Sequence, residues 1–395
     1  MSVFNEEMSP SSSEVDIGAP NNTSIIGPLI VLVVVCSFIN TTATIIVGGI
    51  LCVMGASKLK FFAIKGSVQY YFVVAFIISV ASLILNQTFP KQLDNYVFLF
   101  LVMNIAYSYF RSVPLNVVRK YFRIMAVISL LIADTSFTLT FWGTPIASLM
   151  TETQRVGSSA FFLGNQACSF LAILCFCMID TKLAYVFVYF ANATLLSIVC
   201  SSRGALIGNL FFVAWFIIRL SIYKKRPFSG MLAIVMVAVG FAYLVHSNLY
   251  IIQRFNAMND QDPGSAARIE AWSYAWPAFS HNILGYGAGN AVDAISDISG
   301  IDFTPELPAM HNIFIQAFLD FGVIGGSLWL YILISLIVKN FRQVLSEGVY
   351  AAFLAYCIIG MLRFSLAEVL PFILLAACRV IAPKEVDHAK INIPS

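Results

Sequence analysis

Two arginines stand in short polar stretches beside long apolar runs, where a positive charge needs a specific reason. The first, Arg203, lies within the stretch 201–205, which reads SSRGA. Either serine can cap the helix that follows. The guanidinium would then lie beside a helix N-terminus, where exposed N–H groups and the helix dipole favour anions. The alternative is an arginine that only covers apolar surface and keeps its charge in water.

The second arginine, Arg268, lies within 263–272, which reads PGSAARIEAW. Ser265 is predicted to cap a helix at this point. Apolar side chains then recur at helical spacing on one face, at Ile269, Trp272, Trp276 and Phe279. A helix with two tryptophans on its apolar face is predicted to lie in a membrane interface, which would hold Arg268 at the depth of lipid phosphates. A salt bridge with a neighbouring acid is the alternative.

His311 follows Pro308, a residue type that suits the first position of a helix, and a long apolar run comes after it. The histidine is therefore predicted in the first helical turn, where the helix dipole and any nearby arginine would keep the imidazole neutral. A neutral imidazole can accept a proton from a hydroxyl. An isolated histidine is more often structural, and His246 and His281 are predicted to be so. Beside two anion-binding arginines, His311 becomes a candidate catalytic base.

Together these three residues suggest a bound diphosphate with a base next to it. Guanidinium groups bind phosphate oxygens bidentately without a metal, and no Asp-x-Asp or His/Asp cluster in the sequence suggests a metal site. A lipid-linked diphosphate is also a leaving group, so a hydroxyl deprotonated by His311 could attack the attached carbon. The candidates for further substrate contacts are Arg155, Asn165 and Asn312. Glycines 285, 287 and 289 predict a tight turn rather than a nucleotide loop, because no strand precedes them.

The composition defines the class of protein that must position these residues. Of 395 residues, 59% are hydrophobic and only 11% are charged, and the mean hydropathy is +0.85. A soluble domain carries about 25% charged residues, so soluble, disordered, fibrous and nucleic-acid-binding classes are excluded. The net charge of +3 says little about partners. The sequence predicts an all-α, polytopic membrane protein.

A spanning helix needs about 20 apolar residues. The candidate runs lie near 25–39, 42–56, 67–85, 93–110, 122–141, 160–179, 183–201, 203–222, 229–246, 310–338, 349–363 and 366–382. The first two are short, with a natural turn at Asn40, so we predict twelve spans and keep eleven as the alternative. The predicted organisation is a disordered N-terminal tail (1–24), nine spans (25–246), a large outer loop (247–309), three spans (310–382) and a cytoplasmic tail (383–395).

Basic residues predict the orientation, because Lys and Arg concentrate in cytoplasmic loops. Of the 23 Lys and Arg residues, the segments predicted outside hold only Lys91, Arg155, Arg203, Arg254, Arg268 and Arg363. The large outer loop is much longer than the usual connection between helices, and long structured loops tend to carry function. We therefore expect the chemistry on the outer face.

Four stretches in order resemble the O-antigen ligase/polymerase family, which includes Wzy-type polysaccharide polymerases and WaaL-type ligases. They are SSRGA at 201–205, RIEAW at 268–272, NILGYG at 282–287, and His311-Asn312 followed by Gln316 and by GVIG at 322–325. The resemblance implies a GT-C-like membrane glycosyltransferase that needs no metal or cofactor. It would take a glycan from undecaprenyl diphosphate with inversion, in the bacterial inner membrane, with the active site facing the periplasm.

The resemblance also implies roles for single residues. Arg203 and Arg268 align with motif arginines thought to hold the donor diphosphate, and His311 aligns with a motif histidine thought to activate the acceptor. Asp320 departs from the family pattern, since many members carry Glu there, which puts a supporting role for this acid in doubt. The implied partners are the lipid-linked donor and acceptor glycans and membrane lipid, with a chain-length regulator as a candidate and no nucleic acid.

Three functions remain open at this stage. A polymerase, the favoured one, transfers the glycan to another lipid-linked repeat unit, and 164–166 (GNQ) resembles polymerase members. A ligase would transfer the finished chain to lipid A-core, and a further branch of the family glycosylates proteins. A secondary transporter is the alternative from another class, because Asp134, Asp320, Arg363 and Glu368 lie in or near predicted spans.

Overall fold

Helices form all of the regular structure in the described part of the chain. The computed structural model describes residues 25–56, 64, 66–86, 89–145, 148, 165–225, 231, 235, 249, 252, 263–305, 307, 309–361 and 368–381. Helices satisfy their own backbone N–H and C=O groups, which a lipid environment requires. The apolar composition and the all-helical architecture agree with an all-α membrane protein.

The described residues form fifteen α-helices. These are α1 (Ile26–Ile39), α2 (Thr41–Ala56), α3 (Ser67–Asn86), α4 (Leu93–Ser112), α5 (Leu115–Thr140), α6 (Asn165–Cys175), α7 (Leu183–Val199), α8 (Arg203–Ile218), α9 (Pro263–Ser273), α10 (Ala275–His281), α11 (Ala291–Ser299), α12 (Ile313–Lys339), α13 (Phe341–Ser346), α14 (Gly348–Gly360) and α15 (Val369–Ile381). A 3₁₀ turn, Phe176–Met178, extends α6, and a π turn, Arg219–Tyr223, ends α8.

Among the described residues, four helices are long and apolar enough to cross a bilayer, which leaves the predicted count of twelve unconfirmed. They are Ser67–Ile84, Leu115–Thr140, Arg203–Ile222 and Ile313–Lys339. Several shorter apolar helices of 10–17 residues accompany them. The predicted turn at Asn40 is confirmed, because α1 ends at Ile39 and the extended Asn40 separates it from α2. The predicted tails, 1–24 and 383–395, and nearly all of the predicted span 229–246 lie outside the described residues.

Six polar contacts between described segments lie at the two ends of the bundle. At one end, the pairs are Arg119 with Glu347 at 2.7 Å, Arg219 with Asp180 at 3.2 Å, and Arg379 with Ser67 at 3.1 Å. At the other end, the pairs are Lys91 with Asp293 at 2.7 Å, Gln166 with Glu368 at 2.7 Å, and Ser202 with Asn165 at 3.1 Å. Each pair joins segments that the sequence places on the same side, so the contacts agree with the predicted grouping of the loops.

The helix α12 is broken at Gly322, where the backbone has φ 63° and ψ −166°. The loop 283–290 fills the break with backbone hydrogen bonds. Tyr286 N donates to Leu319 O at 2.9 Å, Gly287 N donates to Asp320 O at 2.8 Å, and Val323 N donates to Ile283 O at 2.9 Å. The predicted tight turn is confirmed, because glycines 285, 287 and 289 all have positive φ. These bonds satisfy groups that the kink would leave without partners.

The same loop is also held by side chains. The Ser82 hydroxyl of α3 donates to Tyr286 O at 2.6 Å, and the Ser79 hydroxyl accepts from Ala288 N at 3.1 Å. The Tyr286 hydroxyl donates to Ala278 O at 2.8 Å, and burial raises the pKa of this phenol above its ordinary value, so it stays a neutral donor. The loop is therefore fixed between α3, α10 and the broken α12.

Two glycines permit this close approach, and replacing either should destabilise the fold. A Cβ atom on Gly322 would lie 2.4 Å from the Leu284 carbonyl carbon, and one on Gly285 would lie 2.5 Å from Gly322 N. We expect Gly322→Ala to lower the free energy of unfolding by at least ~2 kcal/mol, since backbone strain of this kind alone costs roughly 1–3 kcal/mol. Thermal unfolding in detergent measures the change.

Gly300→Ala is the matched control for this prediction. Gly300 also has a positive φ, 71°, but a Cβ there would meet no atom within 4 Å. Its alanine variant should lose only about 1 kcal/mol, the cost of the left-handed conformation. If Gly322→Ala and Gly300→Ala unfolded at the same temperature, the close packing of the loop against α12 would not contribute to stability.

Candidate active site

Arg203 is the first residue of α8 and directly follows a tight connection from α7. Ser201 has φ 50°, Ser202 N donates to Ser197 O at 2.9 Å, and Ser201 N donates to Ile198 O at 3.0 Å. This is the Schellman pattern that ends a helix, with serine where glycine is usual. The connection is so short that Arg203 is held at the boundary between two helices rather than on a loop.

Ser202 occupies the N-cap position of α8, as predicted, but the predicted side-chain cap is wrong for this residue. Its hydroxyl makes no cap hydrogen bond and instead donates to Asn165 O at 3.1 Å. Asn165 is the first described residue of α6, so this part of α6 lies beside the start of α8. The positive end of the α8 dipole lies at Arg203 and favours an anion there.

Arg268 lies on α9, whose packing differs from the prediction. The segment forms two helices, α9 and α10, separated at Tyr274, and α9 begins at Pro263 rather than after a cap at Ser265. The two tryptophans also separate, because Trp276 is 72% exposed whereas Trp272 is partly buried. The indole N–H of Trp272 donates to Met310 O at 2.9 Å. The predicted single helix is therefore wrong, whereas its placement in a membrane interface stays a prediction.

The Trp272 bond brings Arg268 near the candidate base. Arg268 precedes Trp272 by four residues, so the two side chains share a face of α9. Met310, the acceptor of the Trp272 bond, directly precedes His311. Ala267 and Ala271 of α9 pack in the same apolar cluster as Met310. The surface that carries Arg268 thus lies against the segment that leads into His311.

His311 precedes α12 and does not lie in its first turn, so that prediction is wrong. The helix begins at Ile313, and Asn312 is its N-cap, with Oδ1 accepting from Phe314 N at 3.0 Å and from Ile315 N at 3.1 Å. Asparagine is a strong N-cap residue, which explains why the helix begins here and not at Pro308. Pro308 itself lies outside the described residues. The cap uses Asn312 Oδ1, so only the amide NH₂ group of this candidate could contact a substrate.

The backbone of His311 is strained. Its φ is 52°, a conformation that costs a non-glycine residue roughly 1–2 kcal/mol. In the part of the chain that the structure describes, the non-glycine residues with positive φ are Ser201, Lys225 and His311. Two of these three belong to the candidate site or adjoin it. Strain that the surrounding contacts maintain is common at functional sites.

Helix α14 connects the Arg203 region to the His311 region. Gly208, in the second turn of α8, faces Ile359, and Gly360, the last residue of α14, faces Ile313 at the start of α12. The N-terminal parts of α8 and α12 therefore both pack on the last turn of α14. The structure thus links Arg203 to the His311 region through α14 and places Arg268 beside the His311 segment, at the same end of the bundle.

The sequence predicted some of the residues at this end of the bundle as candidates and gave no indication of others. Asn165 lies at the start of α6, beside Ser202, whereas Arg155 lies outside the described residues. The bond between Gln166 and Glu368 and the bond from Trp272 to Met310 were both missed. Nothing in the local sequence indicates these contacts, because each joins residues far apart in the chain.

The acids that suggested a transporter have structural partners. Asp134 Oδ2 accepts from Asn192 Nδ2 at 2.5 Å, and Glu368 accepts from Gln166. Asp320 is fully buried, and its Oδ1 accepts from Ala291 N at 3.0 Å at the start of α11, while Gln316 donates to its Oδ2 at 3.2 Å. Asp320 therefore supports the loop that fills the break in α12. The contacts explain these acids without an ion pathway.

This architecture, with apolar helices and two arginines and a histidine at one end, defines an all-α membrane protein with a candidate anion site. Residues 186–330 match the Wzy_C family model, described as O-antigen ligase, and this match supports assigning the chain to the O-antigen ligase/polymerase family. No curated protein matches the chain. The matched region contains Arg203, Arg268 and His311. Members of the family are membrane glycosyltransferase-like enzymes that use lipid-linked glycans.

Proposed function

We propose that the chain transfers a glycan from undecaprenyl diphosphate to a sugar hydroxyl of a lipid-linked acceptor. The observation that carries the proposal is that Arg203, Arg268 and His311 lie within the matched region and at one end of the bundle, where α14 links the Arg203 helix to the His311 segment. The reaction would take place at the periplasmic face of the bacterial inner membrane. The distribution of basic residues supports this orientation.

In this proposal the arginines bind the donor diphosphate. Arg203 lies at the N-terminus of α8 close to Asn165 of α6, and Arg268 lies on α9 beside the segment that carries His311. Two planar guanidinium groups can each bind a phosphate through paired hydrogen bonds. They would also stabilise the negative charge that develops on the diphosphate as it leaves.

His311 then acts as the general base. The acceptor hydroxyl gives its proton to an imidazole nitrogen while its oxygen bonds to the anomeric carbon. The bond from that carbon to the diphosphate oxygen breaks, and the lipid diphosphate departs with the electron pair. Attack from the side opposite to the leaving group inverts the configuration at the carbon. The Asn312 cap and the Trp272 bond hold the backbone on both sides of the base.

The acceptor decides whether the enzyme is a polymerase or a ligase. We favour a polymerase, which adds the glycan to another lipid-linked repeat unit, because 164–166 resembles polymerase members. The description of the matching family favours the alternative, a ligase that transfers the finished chain to lipid A-core. Both reactions would use the same three residues.

The lipid-linked glycans of a strain that lacks the protein test the proposal. Accumulation of glycolipids with a single repeat unit would support the polymerase. Full-length chains left on the carrier lipid would instead identify a ligase. An unchanged glycolipid profile would contradict both forms of the proposal.

A further inference from the structure

A cavity of about 560 Å³ lies between α5 and α7, next to the end of α6. The residues of α5 that line it are Lys120, Arg123, Ile124, Val127, Ile128, Leu130 and Leu131. Their spacing of three and four places them along one face of the helix. From α7, Tyr185 and Val188 are exposed and Tyr189 closes the floor of the cavity. The cavity is thus an open apolar groove with two positive charges at one end.

The two bases lie at the end of the bundle opposite the candidate active site. Lys120 and Arg123 directly follow or lie close to Arg119, and the pair of Arg119 with Glu347 lies at that end of the bundle. Helix α7 runs from the groove towards Arg203 at the other end. The nearest acid in sequence to the lining residue Thr181 is Asp180, and it pairs with Arg219 at 3.2 Å. Among the described residues, Lys120 and Arg123 have no ion-pair partner, and Arg123 Nε is buried without a hydrogen bond. Their charges are available to a ligand.

The dimensions of the groove match one lipid leaflet. Lys120 and Leu131 are eleven residues apart, so the lined face is roughly 16 Å long. The hydrocarbon core of a bilayer is about 30 Å thick, and one leaflet provides about half of it. A molecule with an anionic head and an apolar chain of that length would have its charge beside the bases and its chain along the groove.

We propose that this groove binds one anionic phospholipid of the surrounding bilayer. Lys120 and Arg123 hold the headgroup phosphate, and an acyl chain lies between α5 and α7. Charge complementarity selects an anionic headgroup over a zwitterionic one, because basic groups at a membrane surface attract anionic lipids. The site is separate from the proposed glycan transfer and does not depend on it.

Native mass spectrometry of the full-length protein in detergent tests this site. The probes are phosphatidylglycerol and phosphatidylethanolamine with the same acyl chains, at equal concentration. We expect the wild type to retain phosphatidylglycerol about fivefold more strongly, since one base is worth roughly that factor near an anionic surface. The double variant K120Q/R123Q should lose this preference. The matched control K339Q/R342Q removes the same charge from exposed bases at the same end of the bundle. This control should keep the preference for phosphatidylglycerol.

A second variant tests the groove itself. Val188 is 67% exposed, so V188W should fill the groove without disturbing the packed core. V188W should reduce the retention of both lipids. In a separate experiment on the wild type, millimolar inorganic phosphate should not displace phosphatidylglycerol. The proposal is overturned if K120Q/R123Q binds like K339Q/R342Q, if V188W binds like the wild type, or if free phosphate removes the lipid.

Discussion

Replacing Arg203 or Arg268 with lysine should reduce glycan transfer by roughly 10²–10³-fold, the usual cost of removing a group that stabilises transition-state charge. Lysine keeps the positive charge but presents a point charge in place of the planar fork that binds two oxygens at once. Transfer from a defined lipid-linked donor by the purified protein, measured at saturating acceptor, gives the rate.

Arg342→Lys is the matched control for the arginine variants. Arg342 is exposed at the opposite end of the bundle, so the same chemical change there should leave the rate unchanged. Affinity for the lipid diphosphate is a second measurement, because the site variants should also bind the donor more weakly. If both site variants transferred glycan at the wild-type rate, the diphosphate assignment would be wrong.

The second large effect is expected for His311→Asn, which should lower the rate of transfer by roughly 10²–10⁴-fold, the contribution of a general base. Asparagine tolerates a positive φ about as well as histidine does. The variant should therefore keep the backbone at φ 52° and remove only the base. Donor affinity and thermal unfolding should stay close to the wild type.

His281→Ala provides the control for the histidine variant. His281 is exposed at the end of α10 and is predicted to be structural, so its loss should leave transfer nearly unchanged. A near-normal rate in His311→Asn would show that another group accepts the proton. A reduced rate together with weaker donor binding would instead indicate that His311 contacts the diphosphate.

The sequence was most informative where a local rule was sufficient. The break at Asn40 and the tight turn at glycines 285, 287 and 289 follow from residue type alone, and the structure contains both. The alternation of basic residues predicted which loops lie together, and the polar pairs at each end of the bundle agree with it. Periodicity and charge bias are local quantities, so no tertiary contact is needed to interpret them.

The predictions failed where two plausible helix starts competed. Pro308 and Ser265 are both good residues for a helix N-terminus, yet α12 begins at Ile313 and α9 begins at Pro263. The cap that formed at Asn312 is compatible with the Trp272 bond to Met310, which ties the preceding residue to α9. Propensity differences of about 1 kcal/mol between N-caps are small enough for tertiary contacts to override them.

The role of Asp320 illustrates a different limit. As a single acid in an apolar run, it suggested an ion pathway. As a departure from the family pattern, where many members carry Glu, it put a supporting role for this acid in doubt. In the structure its carboxylate lies at the start of α11 and holds the loop that fills the break in α12. An acid in a span can be functional or structural, and only its partners distinguish the two.

By itself, the sequence determined that the chain is a helical membrane protein, and it predicted which loops lie on the same side and which three residues are candidates for glycan transfer. Composition, hydrophobic run length and residue type contain that information. Only the tertiary structure decided that α14 joins the starts of α8 and α12, that Trp272 anchors the residue before His311, and that a glycine loop fills the break in α12. These contacts join residues far apart in the chain, and their geometry depends on how whole helices pack.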